Sequence, residues 1–215
     1  VEKEGVMDRY NRVVRGKVYP MNEAPSIAGA YLVSAGIEDR VHFLYAGQSG
    51  NIAERSTAHL GGNGDTDLKR YLDKLDSCAC LIVFDLSQCE SATGITGRMA
   101  LRAMESTLIF CSFPALNERI SSVHLEKRKT ELDFVCINGC PTIRIWDDRF
   151  LACPPDSFFD SLGPCLTLVN SGQPLIGTSY MSKLNDMWPG TALKWWRKCS
   201  DQSRKALDDA LAAIA

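Results

Sequence analysis

Apolar segments alternate with polar breaks through the first 120 residues. Two β-prone apolar runs, residues 27–35 and 41–47, stand on either side of a polar turn at 36–40. Two strands joined by a short turn predict a β-hairpin. A third apolar run, residues 78–86, is continuous rather than alternating, which predicts a buried strand.

Helical patterns fall between and after these strands. Asn51 with Glu54 three residues later has the form of a helix N-cap with its partner carboxylate, and predicts a helix through Leu60. Apolar residues at three- and four-residue spacing predict a second helix over 67–75. A third helix follows the loop at 93–97 and is closed by Pro114. Its apolar face consists of Leu101, Met104, Leu108 and Ile109.

This order predicts an α+β fold with a small, mainly antiparallel three-stranded central sheet flanked by helices. Residues 1–26 are interpreted as a lead-in segment and residues 27–120 as the main module. Residues 121–215 are interpreted as a mixed C-terminal elaboration that packs on the module and binds substrate. Its weak strand candidates are Phe134–Ile137, Thr142–Trp146 and Cys165–Val169.

Composition narrows the class of protein without indicating a partner. The 24 Lys and Arg against 26 Asp and Glu give a net charge of -2, so a nucleic-acid site has to be a local basic patch. Without a run of 18 apolar residues or an apolar leader, we expect an intracellular, cytoplasmic protein with no membrane partner. A delivered effector and a portion of a longer chain both stay open.

The nine cysteines are interpreted as reduced thiols, because the count is odd and several stand within apolar runs. A zinc site could be assembled from four of them in the C-terminal half. The paired short spacings of zinc modules are missing, so this alternative is disfavoured. Its four ligands would be Cys136, Cys140, Cys153 and Cys165.

Four side chains capable of acid-base or phosphate chemistry are predicted to converge near the hairpin. Arg55 and His59 are four residues apart on the first helix and therefore project from one face. Tyr45 stands near the end of the strand that precedes this helix. Tyr31, on the partner strand, can point to the same side of the sheet.

Glu105 adds a carboxylate at the edge of the apolar face of the third helix. A buried carboxylate needs a partner or a metal, and Mg²⁺ held by one or two carboxylates, water and phosphate oxygens suits this position. The combined set is typical of phosphoryl transfer: Arg55 binds phosphate oxygens, the metal offsets negative charge, and a Tyr or His handles the proton of an attacking water.

These residues carry a family resemblance. The tripeptides Gly29-Ala30-Tyr31 and Tyr45-Ala46-Gly47, the segment from Gln48 to His59, then Glu105 and the stretch Pro114 to Asn117 together resemble the signature of GIY-YIG nucleases over residues 27–120. Ala30 and Ala46 depart from the family pattern, which has Ile at both positions. The departure changes packing volume in the hairpin and leaves the polar groups intact.

The resemblance implies a metal-dependent nuclease using one Mg²⁺, with Mn²⁺ as a substitute. It implies these roles: Tyr31 as general base or water-orienting phenol, Tyr45 as its assistant, Arg55 on the scissile phosphate, His59 in proton transfer or phosphate binding, Glu105 as metal ligand, and Asn117 as support for the site.

Two basic clusters in the C-terminal half are candidate nucleic-acid contacts. The helix predicted from Thr191 onward carries one of them on a face away from its apolar positions, and a solvated surface face is the competing interpretation. Ser residues interrupt the apolar rhythm of this helix, which favours docking over dimerisation and leaves a homodimer open. The clusters are Lys194, Arg197, Lys198 and Lys205, and Lys127, Arg128 and Lys129.

The sequence therefore predicts a divalent-metal-dependent endonuclease that hydrolyses phosphodiester bonds by in-line water attack, with DNA favoured over RNA. One alternative is a non-catalytic nucleic-acid-binding module on the same fold. Another is a toxic effector nuclease with little sequence specificity. Taken singly, each residue has a structural explanation: a Tyr can be packing, Arg55 can pair with Glu54, and Glu105 can be exposed.

Overall fold

The computed structural model of the chain describes residues 13–38, 40–63, 66–75, 78–117, 130–137, 140–147 and 191–214. The fold is α+β, with two antiparallel sheets and five helices in this part of the chain. The elements, in chain order, are β1 (Val13–Arg15), β2 (Lys17–Pro20), β3 (Gly29–Ile37), β4 (Arg40–Ser49), α1 (Ile52–Gly61), α2 (Thr66–Leu75), β5 (Ala79–Asp85), α3 (Leu86–Thr93), α4 (Gly97–Ser112), β6 (Thr130–Ile137), β7 (Cys140–Asp147) and α5 (Thr191–Ile214).

The central sheet has four strands in the order β2-β5-β3-β4, all antiparallel, so the three-stranded prediction was one strand short. The missing strand, β2, lies within the segment interpreted as a lead-in. It is four residues long, largely exposed and ends in Pro20, so it shows no apolar period. The hairpin of β3 and β4 is present as predicted, with a bulge beside Val33 and Ser34.

Both faces of the central sheet are buried, which explains the continuous apolar runs of β3 and β5. On β3, Ala30 and Leu32 belong to a core shared with α4, while Tyr31 and Val33 belong to a second core shared with α1 and α2. This alternation follows from the two-residue period of a strand. The small Ala30 and Ala46 both lie in the core on the α4 side.

The outer edge of β4 is covered by the segment that follows α4. The backbone N–H groups of Ala115 and Leu116 donate to the carbonyls of Phe43 and Leu44, at 3.0 and 2.8 Å. The side chain of Asn117 continues this ladder with two bonds to the backbone of Ala46. Covering an edge strand in this way removes a site of unwanted strand pairing.

A second sheet, in the order β1-β7-β6, packs on the α4 side. It contains the strand candidates at 134–137 and 142–146, both confirmed as parts of β6 and β7. Phe134 makes edge-to-face contacts with Phe43 and Phe84, at ring-centroid distances of 5.9 and 6.0 Å. These rings join the second sheet to the central one.

Helix α5 docks on both halves of the module. Its Trp196 is buried and donates from Nε1 to the carbonyl of Ile109, and Ser200 donates to the carbonyl of Pro114. Further along, Leu207 and Leu211 enter the core shared with α2. The serine that weakens a coiled-coil pattern is therefore buried against a backbone acceptor. Within the described residues no helix is long and apolar enough to cross a membrane.

One helix was not predicted. Helix α3 begins after Asp85, whose side chain accepts a hydrogen bond from the backbone of Ser87, and it buries Cys89. Two turns with one buried residue leave almost no apolar period to detect. The strand candidate at 165–169, the basic residues Lys127, Arg128 and Lys129, and the side chains of the four zinc-hypothesis cysteines lie outside what the structure describes.

Candidate active site

The hairpin places both tyrosines on the same face of the central sheet. Tyr31 lies opposite Gly47, and Tyr45 lies opposite Val33, so the two rings are diagonal neighbours with centroids 6.3 Å apart. Gly47 has a structural reason: a Cβ there would lie 2.6 Å from the Tyr31 hydroxyl and 3.0 Å from the Tyr45 ring. The phenol of Tyr31 needs the space that a side chain at position 47 would fill.

Helix α1 brings Arg55 and His59 to these rings. The predicted N-cap is confirmed: Asn51 accepts from the backbone of Glu54 and donates to its carboxylate, and the helix ends at Gly62 in a left-handed conformation. His59 is fully buried, and its ring centroid lies 5.8 Å from that of Tyr31 and 5.4 Å from that of Tyr45.

The hydroxyl of Tyr31 is the hub of the cluster. It lies 2.8 Å from His59 Nε2 and accepts a hydrogen bond from Arg55 Nε at 3.3 Å. A guanidinium can only donate, so the Tyr31 proton is available for donation to His59. In that arrangement the neutral imidazole carries its own proton on Nδ1.

Glu105 reaches the same end of the sheet from the opposite face. Gln48, the penultimate residue of β4, alternates with Tyr45 and Gly47 and donates from Nε2 to Glu105 Oε2 at 2.8 Å. Gln48 therefore fixes the carboxylate of α4 against the end of β4. The negative charge of Glu105 acts on both Tyr31 and Arg55 across the strand end.

Burial dominates the ionisation of this cluster. It raises the pKa of Tyr31, with a further rise from Tyr45 and a partial offset from Arg55, so the phenol stays protonated at neutral pH. Burial also raises the pKa of Glu105, opposed by the bond from Gln48 and by two nearby arginines. For Arg55, burial is the largest single influence and lowers the pKa, but Tyr31 and Tyr45 together outweigh it and the net direction is upward.

The predicted six-residue site divides into two groups by exposure. Tyr45, Arg55 and Glu105 are half-buried, so each keeps part of its side chain open to solvent. Tyr31 is 1% exposed and His59 is 0% exposed. Asn117 is half-buried, and its amide is bonded at both ends to the backbone of Ala46, at 2.8 and 2.9 Å.

The residues fit a magnesium ion held by one carboxylate. In the part of the chain that the structure describes, no group of three or more His, Cys, Asp or Glu side chains lies together as a metal cluster. Mg²⁺ is commonly held by one or two carboxylates, with water and substrate phosphates filling the remaining positions. Gln48 engages Oε2 of Glu105, and Oε1 is the oxygen that a metal would use.

Two contributors to the site were not predicted as such. Gln48 was identified only as part of a signature segment, although its position two residues after Ala46 puts it on the α4 face. Arg102 stands three residues before Glu105 on α4, and its charge lowers the pKa of that carboxyl. The three-residue spacing was a usable signal for this pair.

The basic cluster on α5 is solvent-exposed. Lys194, Arg197, Lys198 and Lys205 all lie on the surface, and they line a surface cavity of about 460 Å³ together with Asp201 and Gln202. None of the four cations forms an ion pair with a described residue. This surface can therefore attract a polyanion.

Comparisons with protein families, with curated proteins and with solved structures find no match for this chain.

Proposed function

We propose that this chain is a divalent-metal-dependent endonuclease of the GIY-YIG type, acting on DNA in preference to RNA. Residues 27–120 would be the catalytic module, and α5 would add substrate contacts. The three-stranded sheet expected for that family would be represented here by β5, β3 and β4, with β2 as an added edge strand.

One observation supports the proposal above the others. A guanidinium, two phenols, an imidazole and a carboxylate meet at the end of one hairpin, and no described carboxylate forms an ion pair with Arg55. A buried polar network of this kind costs stability unless each group is satisfied. An uncancelled guanidinium beside a carboxylate suits a phosphodiester and its metal.

The exposure of the side chains supports a division of labour. Arg55 binds the scissile phosphate, and Tyr45 orients the attacking water at the open side of the cluster. Glu105 would hold one Mg²⁺, which supplies charge stabilisation for the phosphoryl oxygens when bound. Gln48 keeps the Glu105 carboxylate in place.

Tyr31, His59 and Asn117 act as positioning residues in this proposal. Tyr31 fixes the guanidinium of Arg55 through its hydroxyl, and His59 fixes that hydroxyl in turn. Asn117 holds the backbone at Ala46, between Tyr45 and Gly47. A shift of about 1 Å in the groups that these residues position would reduce the rate of cleavage substantially.

The α5 surface extends the proposal to the rest of the substrate. Its exposed cations, Lys194, Arg197, Lys198 and Lys205, would contact backbone phosphates away from the scissile bond. Such contacts strengthen binding without reading sequence.

A second candidate is a nucleic-acid-binding module without catalysis. The burial of Tyr31 and His59 favours it, because a Tyr–His hydrogen bond inside a core can be purely structural. The nuclease and the binding module assign different roles to Glu105. A binding module has no use for a half-buried carboxylate beside a phosphate site, since it would repel the substrate.

Cleavage assays test the proposal. Supercoiled DNA, linear DNA and a structured RNA are incubated with the protein and Mg²⁺ or Mn²⁺, in parallel with Glu105→Ala and Arg55→Ala. We expect the wild type to cut DNA and both variants to be strongly impaired. Intact substrates with the wild type contradict the enzyme proposal, and equal cutting by the variants contradicts the site.

A further inference from the structure

The first turns of α4 form an exposed patch that leads to Glu105. Arg98, Met99 and Arg102 are all exposed, and Met99 is 73% exposed, the most of any large apolar side chain in the described residues. Arg98 and Arg102 are four residues apart, and Glu105 follows three residues later. These spacings align the three side chains along one face of the helix.

Neither arginine of this patch is held in an ion pair within the part of the chain that the structure describes. By contrast, Arg70 and Arg204 both pair with Asp67, at 3.6 and 3.3 Å. Glu105 is also the one acidic residue in the sequence of α4. The patch therefore places two exposed arginines on one face of α4, and a carboxylate on another element, that of Glu90, accepts the backbone N–H of Gly97 at the start of the helix.

The patch adjoins the candidate site. The charge of Arg102 acts on the carboxyl of Glu105 together with that of Arg55. Because the charges of Arg55 and Arg102 both act on this one carboxyl, a polyanion with one phosphate at Arg55 would also experience the charge of Arg102.

We propose that Arg98 and Arg102 bind backbone phosphates of the substrate strand beside the scissile phosphate, with Met99 against a sugar or base. This inference rests on the proposed function and extends its substrate path along α4. Guanidinium groups bind phosphate oxygens through two parallel N–H bonds, and exposed ones contribute most when the partner is a polyanion. The contact selects for nucleic-acid backbone, independent of sequence.

The test uses a fluorescent double-stranded DNA oligonucleotide and its single-stranded DNA and RNA forms, bound in EDTA so that no cleavage occurs. Arg98→Gln and Arg102→Gln are compared with Arg70→Gln, an exposed helical arginine that is already paired. We expect the slope of log K against log salt to become shallower in each patch variant. The change should correspond to the loss of about one phosphate contact. Arg70→Gln should leave the slope unchanged, and thermal melts should show all three variants folded.

Kinetics separate substrate binding from an indirect effect on Glu105. Phosphate binding predicts that both patch variants raise KM for DNA while kcat changes little. If Arg102→Gln only moves the acid limb of the pH–rate profile to higher pH, and Arg98→Gln changes nothing, the inference is overturned. Unchanged salt slopes overturn it too, even where the wild type cuts DNA and the proposed function stands.

Other outcomes would contradict the nuclease proposal and leave the phosphate-binding surface on α4 in place. If the wild type cuts no substrate but binds DNA with a salt slope that falls in the patch variants, the nuclease proposal fails and the binding surface stands. If the wild type binds none of the oligonucleotides at low salt, the inference is overturned. Tighter patch-dependent binding to the RNA form would keep the surface and change its substrate.

Discussion

Two clusters in this molecule combine tyrosine with arginine, and they differ in where the positive charge goes. In one, the Tyr71 hydroxyl donates to Asp208 at 2.5 Å, while Arg204 pairs with Asp67 at 3.3 Å. In the other, the Tyr31 hydroxyl accepts from Arg55 and contacts His59, and no carboxylate bonds the guanidinium within the described residues.

The first cluster joins two helices and is called the latch below, whereas the second is the candidate active site. The first cluster, on α2 and α5, is neutralised by two carboxylates and holds the helices together. The second is wrapped in aromatic rings that fix Arg55 without cancelling its charge, so the charge remains available to an anion. In the proposed function, the same residue types serve attachment in the first cluster and anion binding in the second, and the position of the carboxylates makes the difference.

The largest expected effect concerns the carboxylate beside the second cluster. Glu105→Gln keeps the size of the side chain and its contact with Gln48, but it removes the negative charge that would hold Mg²⁺. Loss of several kcal/mol of transition-state stabilisation corresponds to a fall in kcat of about 10³-fold. Plasmid-nicking rates at saturating Mg²⁺ measure this. Activity within about tenfold of wild type would separate Glu105 from the chemistry.

The next effect compares the two tyrosine hydroxyls directly. Tyr31→Phe removes the bond that positions Arg55, and we expect kcat to fall about 10²-fold. Tyr71→Phe is the matched control, since it removes a hydroxyl from the latch. Both should lose about 1 kcal/mol of unfolding free energy in urea titrations.

An equal loss of activity in Tyr31→Phe and Tyr71→Phe, after correction for the folded fraction, would contradict the distinction between the two clusters. A fall in activity for Tyr71→Phe alone would reverse the assignment of latch and site.

A smaller effect is expected at the latch itself. Asp208→Asn weakens the charged acceptor of the Tyr71 hydroxyl and should lower the free energy of unfolding by about 1 kcal/mol, or Tm by about 2–4 °C. Calorimetry measures this change. Cleavage rates should stay within about twofold of wild type, because the latch residues lie on α2 and α5 and none of them belongs to the candidate site. A large drop in kcat without a change in Tm would contradict the latch assignment.

The smallest predicted effect is a pH dependence of stability. Burial raises the folded-state pKa of Glu105 above its unfolded value, so the folded state binds the proton more tightly. The stability gained by protonation is present below the unfolded pKa of about 4.3 and is lost as pH rises through the folded pKa.

Without metal, the ionised carboxylate therefore destabilises the fold at neutral pH. We expect Glu105→Gln to melt above wild type at pH 7 in EDTA, with the difference disappearing near pH 4. A variant that melts below wild type at pH 7 would show that the carboxylate is stabilised by its neighbours.

The central hairpin and the helices around it were predictable because their apolar periods are strong. The strand runs at 27–35 and 41–47, the cap at Asn51 and the face of α4 each correspond to an observed element. Strand β2 and helix α3 were missed, because a short exposed strand and a two-turn helix bury too few residues to leave a pattern.

Sequence patterns predicted which residues belong to the candidate site. They did not predict which of these residues are buried and which are partly exposed. Helix spacing brings Arg55 and His59 to one face, and strand alternation brings Tyr31 and Tyr45 together. Only three-dimensional packing separates the buried Tyr31 and His59 from the half-buried Tyr45. The backbone role of Asn117 and the bond from Gln48 to Glu105 depend on contacts 71 and 57 residues apart in sequence, for which local patterns carry no signal.

One cleavage experiment on matched arginine variants tests the proposed role of Arg55 most directly. Wild type, Arg55→Gln and Arg204→Gln are incubated with supercoiled DNA and Mg²⁺, with thermal melts on the same preparations. We expect wild type and Arg204→Gln to cut the DNA at similar rates, and Arg55→Gln to be folded and slower by about 10²-fold or more. Equal rates for the two variants, or no cleavage by a folded wild type, would contradict that role.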